Sequence, residues 1–273
     1  MLYLVPHSHG TKRYAMPSYC YVSPTHKQEQ ISSLFKRMHS ITENIIRPDG
    51  RMLEIIAEFP AGTGPFPALM LAPGLRYDMH RPVIAQTANY LLAGGFAVFR
   101  FNWSFYTADT EHGQPSEDLN TELQDLRMVL NLAKNDKRIQ QQQISVAGKS
   151  FGSIVAWRVF REEAGLKSCA LLTPLCVADK SGNHVLSLVE KNYPDAASEN
   201  RPVLMLAGNA DPYCELTTLH QFVASTSSTN LHIVAMEGNH SLEIQDADAT
   251  VAASKFAHNL LLLGDHILHF LQE

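Results

Sequence analysis

The feature of this sequence that most limits its fold is an alternation of short apolar runs with longer segments of helical periodicity. Each run is almost wholly apolar, as expected of strands that helices cover on both faces of a parallel sheet. The runs are therefore interpreted as buried strands. The predicted strands cover residues 68–71, 97–101, 144–147, 169–172, 203–206 and 231–236.

The segments between the runs carry apolar residues three or four positions apart, which indicates amphipathic helices. Ser116, followed by two acidic residues, fits the N-cap of one of them. A β-hairpin is predicted earlier, with strands near residues 45–46 and 52–56 around a turn at residues 48–50. The helical stripes are Ile84, Ala88 and Leu91; Leu119, Leu123, Leu126 and Leu130; Leu216, Leu219 and Val223; and Phe256, Leu260, Leu263, Ile267 and Phe270.

Together these elements predict an α/β fold in which a doubly wound, mostly parallel sheet carries helices on both faces. Residues 41–273 are expected to form this domain, because a chain of 273 residues, 45% apolar, is long enough for one large core. Residues 1–40 contain several prolines and no sustained periodicity. They are expected to form an irregular N-terminal arm over the domain, or a disordered segment.

The composition argues against two classes of partner. The net charge of −5, without clusters of Lys and Arg, gives no basis for nucleic-acid binding. No apolar run reaches the roughly 18 residues that span a bilayer, and the start lacks the features of a secretory signal, so no membrane partner is expected. Self-association as a homodimer is left open. The cysteines show no metal-binding spacing, so no metal is expected, and no cofactor is expected either. They are expected to be reduced and packed, which suits a cytoplasmic location. The cysteines are Cys20, Cys169, Cys176 and Cys214.

The sharpest chemical signal is the pentapeptide Gly148-Lys-Ser-Phe-Gly152. It directly follows the predicted strand at residues 144–147 and precedes a helical stripe that begins at Ile154, so the chain must turn sharply from strand to helix. Glycines allow this close approach, and Ser150, held in a strained conformation, then lies at a helix N-terminus that favours a developing anion. Ser150 is therefore the predicted nucleophile; an ordinary turn with an exposed serine is the alternative.

A serine needs a base to become nucleophilic at neutral pH, and the base needs an orienting carboxylate. His240 follows the last predicted strand, where this topology places the histidine, and Asp211 follows the strand before it. The chain order of nucleophile, acid and base agrees with this type of sheet. Both residues could instead serve only to shape their loops, and Asp179 is the alternative acid.

Stabilising the oxyanion requires two backbone N–H donors aimed at one point. Phe151, the residue after the nucleophile, is expected to supply one. The other is expected from the loop after the first of the six strands, where Gly74 permits a sharp bend and Leu75 or, alternatively, Arg76 supplies the N–H. Lys149 could attract an anionic substrate, but a side chain directed away from the pocket is the preferred interpretation.

Through these residues the chain resembles the α/β-hydrolase superfamily, and within it the small dienelactone-hydrolase-like enzymes without a large lid. Among these it is similar to bacterial hydrolases related to a subunit of the nonspecific-lethal chromatin complex. The resemblance extends over residues 42–271 and implies the fold and the triad, but no substrate. It departs at Ser153, where a second glycine is usual, and at residues 103–106, which replace a proline-containing turn; neither is expected to touch the triad. The motifs that carry it are Ala72-Pro-Gly74, Arg100-Phe-Asn-Trp103, Gly148-Lys-Ser-Phe-Gly-Ser153 and the pair Asp211 and His240.

The loops at the carboxyl ends of the strands carry aromatic and apolar residues that either line a pocket for a modest acyl group or pack under the loops. Between residues 173 and 201 only one short helix is predicted, around residues 185–191, so a minimal lid or none is expected. The candidate lining residues are Leu75, Tyr77, Trp103, Phe105, Tyr106, Leu175 and Tyr213.

The sequence therefore predicts a metal-free serine hydrolase of the carboxylesterase type that cleaves a small ester or thioester through an acyl-enzyme. Two other functions are left open. A hydrolase-like interaction protein without turnover could use the N-terminal arm for docking, and a serine peptidase would use the same triad. The intact set of Ser150, Asp211 and His240 favours catalysis, because a binding protein has no physical need of all three.

Overall fold

A computed structural model of the chain describes residues 39–176, 185–226 and 228–273. Most of the predicted arm, residues 1–40, lies outside these ranges, and so does Asp179. The strands are β1 His39–Ile46, β2 Met52–Phe59, β3 Phe66–Ala72, β4 Ala97–Asn102, β5 Ile139–Lys149, β6 Cys169–Leu172, β7 Val203–Gly208 and β8 Leu231–Met236. The helices are α1 Pro82–Ala93, α2 Ser104–Ala108, α3 Asn120–Asn135, α4 Phe151–Glu162, α5 Val185–Asn192, α6 Leu216–Ser225 and α7 Ala249–Gln272.

All strands of the described residues join one sheet, in the order β1-β2-β4-β3-β5-β6-β7-β8. The pairs β1–β2 and β2–β4 are antiparallel, and every other neighbouring pair is parallel. The predicted hairpin thus forms an antiparallel edge on a parallel sheet. The doubly wound, mostly parallel architecture expected from the sequence is confirmed.

Buried side chains form an apolar cluster on each face of the sheet, because successive residues of a strand point to opposite faces. In β3, Ala68, Met70 and Ala72 belong to one cluster, whereas Leu69 and Leu71 belong to the other. Helices α3, α4 and α6 contribute to the first cluster, and α1 and α7 to the second. Helices therefore cover both faces, as predicted.

Helix α3 begins later than the sequence predicts. Ser116 is not its N-cap, because the helix starts at Asn120 and the preceding Leu119 has a left-handed φ of 62°. The Ser116 hydroxyl instead accepts a hydrogen bond from the Thr121 N–H at 3.3 Å and donates one to Glu122 Oε2 at 2.7 Å. A serine outside the helix thus satisfies an N–H of the first turn, which a local pattern does not distinguish from an N-cap.

The segment between β6 and β7 contains little regular structure among its described residues. It holds α5, which corresponds to the predicted short helix, and a 3-10 turn at Ala196–Ser198. This agrees with a minimal lid. Among the described helices, none combines the length and the apolar character needed to cross a membrane.

Helix α4 starts directly after β5 and touches the end of β3 through its backbone. A methyl group added to Gly148 would lie 2.1 Å from the Gly152 carbonyl oxygen, and one added to Gly152 would lie 2.3 Å from the Pro73 carbonyl oxygen. Both distances are far below a van der Waals contact, so glycine is required at both positions by lack of space. This contact fixes the start of α4 against the loop that follows β3.

Gly152→Ala should lower the free energy of unfolding by about 1–3 kcal/mol through overpacking, although alanine favours helices more than glycine does. The added methyl group meets backbone oxygens of Pro73 and Ala72, which cannot move without displacing the end of β3. Urea unfolding followed by circular dichroism measures the change. Gly165→Ala is the matched control, because a methyl group added there has nothing within 4 Å. Equal stability of the two variants would contradict a tight contact at Gly152.

Candidate active site

Ser150 joins β5 to α4 with backbone angles of φ 53° and ψ −118°. A positive φ is strained for a residue with a side chain, and it persists only where the surroundings hold it. Here the Ser150 N–H donates a hydrogen bond to the Leu172 carbonyl oxygen of β6, at 2.8 Å. The neighbouring strand therefore holds the serine backbone in the strained conformation that the pentapeptide predicts.

The structure brings the three predicted triad residues into one hydrogen-bonded series. His240 Nε2 lies 2.8 Å from Ser150 Oγ, and His240 Nδ1 lies 2.8 Å and 3.0 Å from the two carboxylate oxygens of Asp211. The Asp211 side chain is fully buried, whereas the His240 side chain is 19% exposed. The three residues meet because each follows the carboxyl end of a parallel strand: β5, β7 and β8.

Backbone groups hold the Asp211 carboxylate and its loop in place. The Tyr213 N–H donates to Asp211 Oδ1 at 2.8 Å, which leaves the other carboxylate oxygen for the imidazole. The Ala210 N–H donates to the Gly238 carbonyl oxygen at 2.9 Å. The loop that carries the acid is thus bonded directly to the loop that carries the base.

Two asparagines that the sequence patterns do not single out anchor the loop of His240. Asn209 Oδ1 accepts a hydrogen bond from the Gly238 N–H at 3.0 Å. The buried Asn259 of α7 donates to the carbonyl oxygens of Glu237, at 2.6 Å, and Leu242, at 2.9 Å. The available signal for Asn259 was a polar residue directly beside Leu260 of a buried apolar stripe, a position where a polar side chain needs partners.

Lys149 is buried, and its ammonium group contacts the base loop. The residue is only 2% exposed. Nζ donates a hydrogen bond to the His240 carbonyl oxygen at 3.0 Å and lies 4.4 Å from the centre of the Tyr77 ring. Burial lowers the pKa of Lys149 to about 8, because removing an ammonium group from water disfavours its charged form.

The loop after β3 passes beside the nucleophile. A methyl group added to Gly74 would lie 3.6 Å from Ser150 Cβ. The Trp103 indole N–H donates to the Pro73 carbonyl oxygen at 2.9 Å, and this hydrogen bond holds the loop in place. Among the described residues, the N–H groups of Leu75, Arg76 and Phe151 donate no hydrogen bond in the turns and loops.

Ser153, a departure from the family pattern that was not expected to touch the triad, contacts the nucleophile's backbone. Its hydroxyl donates to the Ser150 carbonyl oxygen and bonds the Tyr193 hydroxyl at 2.8 Å. Tyr193 is fully buried and accepts a hydrogen bond from the Leu175 N–H at 2.8 Å. The expectation was wrong because a serine in the first turn of α4 can bond back to the residue that directly precedes the helix.

The candidate lining residues divide into buried, exposed and half-buried side chains. Trp103 and Phe105 are buried and pack with the Phe151 ring, so they support the loops. Leu75 and Tyr213 are exposed by 41% and 56%, and the Tyr213 ring lies edge-on to the imidazole of His240, with 4.8 Å between ring centres. Tyr77 is buried as well, whereas Tyr106 and Leu175 are half-buried.

Comparison with solved structures finds the same fold in several hydrolases. An α/β serine hydrolase without a lid from Xanthomonas campestris has 18% sequence identity and a TM-score of 0.61. The match covers 86% of this chain and 94% of that protein. An α/β serine hydrolase homologue from Coxiella burnetii is 19% identical, with coverages of 83% and 96% and a TM-score of 0.62. A Pyrococcus furiosus esterase is 17% identical, with coverages of 97% and 98% and a TM-score of 0.62.

Sequence comparison leads to a family. No curated protein sequence matches the chain. Residues 66–267, well over half of the chain, match the family of alpha/beta hydrolase domains. These residues contain the serine, the aspartate and the histidine described above, together with the loop after β3. The chain therefore belongs to the alpha/beta hydrolase domain family.

Proposed function

We propose that this protein is a serine hydrolase that cleaves a small ester or thioester through an acyl-enzyme. The observation that carries the proposal is the series from Ser150 Oγ through His240 to the buried Asp211, with 2.8 Å at each step. A serine hydroxyl at this distance from an imidazole can lose its proton as it attacks a carbonyl carbon. The buried carboxylate favours the tautomer that leaves Nε2 free to accept that proton.

In the proposed reaction, Ser150 Oγ attacks the carbonyl carbon while His240 Nε2 takes the hydroxyl proton. The tetrahedral intermediate collapses as the imidazolium gives this proton to the leaving alcohol or thiol, and the acyl group stays on the serine. Water then attacks the acyl-enzyme, with His240 again as the base, and releases the acid. The Asp211 carboxylate stabilises the imidazolium in both halves.

We assign the oxyanion hole to the backbone N–H groups of Phe151 and Leu75. Phe151 opens α4, so its N–H is one of those that have no acceptor within the helix. Leu75 is preferred over Arg76 because it follows Gly74, the residue of this loop that contacts Ser150. In other enzymes, removing one such donor costs about 3–4 kcal/mol of transition-state stabilisation.

The substrate class follows from the apolar groups exposed beside the triad. Leu75, which follows Gly74 in the loop beside Ser150, and Tyr213, whose ring contacts His240, are exposed and offer a short apolar wall for a small or aromatic acyl group. The similarity to a hydrolase described as lacking a lid, and to an esterase, supports an open site that acts on esters. An anionic substrate gains nothing from Lys149, because its ammonium group is buried and bonded elsewhere.

Three expectations from the sequence stay predictions: the finer relation to dienelactone-hydrolase-like enzymes and the chromatin-complex subunit, a cytoplasmic location and a homodimer. The proposed reaction depends on none of them.

Ser150→Ala should abolish covalent labelling by a fluorophosphonate probe and leave the circular dichroism spectrum unchanged, since only the attacking oxygen is removed. In-gel fluorescence measures the labelling. Ser241→Ala, which removes a hydroxyl next to the base, is the control and should label like the wild type. A wild-type protein that neither labels nor hydrolyses esters would instead favour an interaction protein without turnover.

Asp211→Asn should reduce kcat/KM for p-nitrophenyl acetate on the order of 10⁴-fold, because an amide can hold the imidazole in the wrong tautomer. Steady-state kinetics at neutral pH measure the loss. Asp179→Asn is the matched comparison and should keep wild-type activity. The opposite result, with activity lost only in the Asp179 variant, would transfer the role of the acid to that residue.

The acyl-chain profile should show a maximum of kcat/KM at about two to six carbons, followed by a fall, because longer chains leave apolar surface in water at about 0.8 kcal/mol per CH₂. A series of p-nitrophenyl esters measures the profile. Tyr213→Ala should flatten it while keeping the backbone N–H that bonds Asp211, whereas Leu261→Ala, at an exposed leucine of α7, should not. A preference for chains of about twelve carbons or more would contradict the short wall.

A further inference from the structure

The buried lysine next to the nucleophile lies between three parts of the site. Its backbone ends β5 directly before Ser150. Its ammonium group donates to the carbonyl oxygen of His240, at 3.0 Å, and lies over the ring of Tyr77, at 4.4 Å. Tyr77 closes the loop that carries Leu75, through a bridge with Gly74. One side chain therefore contacts both the base loop and the oxyanion loop.

The Tyr77 ring is itself fixed in place. Its hydroxyl oxygen accepts a hydrogen bond from the Val83 N–H in the first turn of α1, at 3.1 Å. Its N–H donates to the Gly74 carbonyl oxygen at 3.4 Å. The ammonium group of Lys149 thus contacts a ring that hydrogen bonds hold in place. It also donates to the backbone carbonyl oxygen of His240, whose imidazole faces Ser150.

A buried ammonium group with so few partners is unfavourable for the fold. A charge taken out of water must be compensated, and among the described residues Lys149 has one hydrogen bond and one aromatic face rather than a carboxylate at contact distance. An apolar side chain of the same length would fill the space without the penalty. An apolar side chain could still pack against the Tyr77 ring, but it could not replace the hydrogen bond to the His240 carbonyl oxygen.

We propose that Lys149 is a positioning residue for His240, which rests on the function proposed above: its ammonium group holds the backbone of the base so that Nε2 stays within reach of Ser150 Oγ. The lysine does not touch the substrate, because it is 2% exposed. Its removal should therefore lower kcat and leave KM unchanged, as expected for an interaction that matters only in the transition state.

The hydrogen bond from Lys149 to the His240 carbonyl oxygen is stronger when the lysine is charged. The positioning of His240 should therefore depend on pH. The pKa of Lys149 is lowered to about 8, mainly by burial and to a smaller extent by the charge of Arg81, whereas the carboxylates of Asp211 and Glu243 oppose the shift. Tyr77, whose own pKa burial raises, stays neutral in this range. Above about pH 8 the amine still donates a hydrogen bond, but a neutral one is weaker by roughly half.

The experiment compares the wild type with Lys149→Met, an apolar side chain of similar length, from about pH 6.5 to about 9.5. The measurements are two rates, kcat for p-nitrophenyl acetate and the second-order rate constant of fluorophosphonate labelling, together with the KM of the ester. In the wild type both rates should fall through about pH 8 to a lower plateau. Lys149→Met should lose about tenfold in kcat at neutral pH, the difference between a charged and an absent hydrogen bond, and lack the alkaline fall.

Lys167→Met is the matched control. Lys167 also donates from its ammonium group to a backbone carbonyl oxygen, that of Leu271, at 2.9 Å, but far along the chain from the site. This variant should keep the wild-type kcat and the wild-type alkaline fall. If it behaves like Lys149→Met, the effect is a general one of removing a lysine, and the positioning role is wrong.

A second variant, Lys149→Arg, tests the proposal if Lys149→Met does not fold. Lys149→Arg keeps the charge at every pH of the series, so it should keep most of the activity and lose the alkaline fall. The proposal is overturned if Lys149→Met keeps the wild-type kcat at neutral pH, or if either Lys149 variant keeps the alkaline fall.

Stability gives an independent readout of the buried charge. Because the pKa of Lys149 is about 8 when folded and near 10.5 when unfolded, the unfolded chain holds an extra proton between these values. The wild type should therefore gain stability relative to Lys149→Met as the pH rises through this window. Thermal unfolding measures it, and a pH-independent difference would mean that the lysine is not buried as a charge.

The result is separable from a failure of the proposed function. If the wild type does not label and does not hydrolyse esters, the hydrolase proposal fails first. The positioning of His240 is then tested by proton NMR of its Nδ1–H, which bonds Asp211 and should give a resonance far downfield. Lys149→Met should shift or broaden this resonance and Lys167→Met should not; an unchanged resonance in both would overturn the proposal.

Discussion

The site depends on the backbone contact between the start of α4 and the end of β3. Gly148 and Gly152 leave so little space that a carbon atom on either would overlap a carbonyl oxygen. This contact places Ser150 on a turn too tight for ordinary backbone angles, and the bond from its N–H to Leu172 of β6 keeps it there. The strained serine is thus a consequence of packing between neighbouring strands and a helix.

The parallel sheet determines the rest of the geometry. Because β7 and β8 are adjacent and parallel, the loops after them leave the same edge side by side, and the loop of Asp211 bonds directly to the loop of His240. Asn209 and Asn259 then hold the base loop from two sides. The imidazole is therefore placed by elements that belong to the core, which is the condition for a preorganised site.

Much of this could be predicted from the sequence, because the informative signals are local. The apolar runs specify the strands, and the motif around Ser150 with the strand order specifies where Asp211 and His240 fall. The contacts of Lys149, Asn259 and Tyr193 could not be predicted, because each joins residues far apart in the chain. A polar residue in a buried stripe must have a hydrogen-bond partner, but the local pattern does not show which residue that is. Ser116 shows the same limit at short range: its hydroxyl does serve α3, but from a turn before the helix and not from the N-cap.

The position of the Lys149 charge constrains how it can act. A positive charge near the imidazole disfavours the imidazolium that forms as Ser150 attacks, whereas the Asp211 carboxylate favours it. An electrostatic role for the lysine would therefore oppose the carboxylate. The ammonium group instead bonds the carbonyl oxygen of His240, on the backbone side, while the carboxylate bonds the ring. The two charges act on different parts of the same residue, so the lysine's contribution has to come from geometry. This separation explains why the arrangement can tolerate a buried cation beside a base that must itself become a cation.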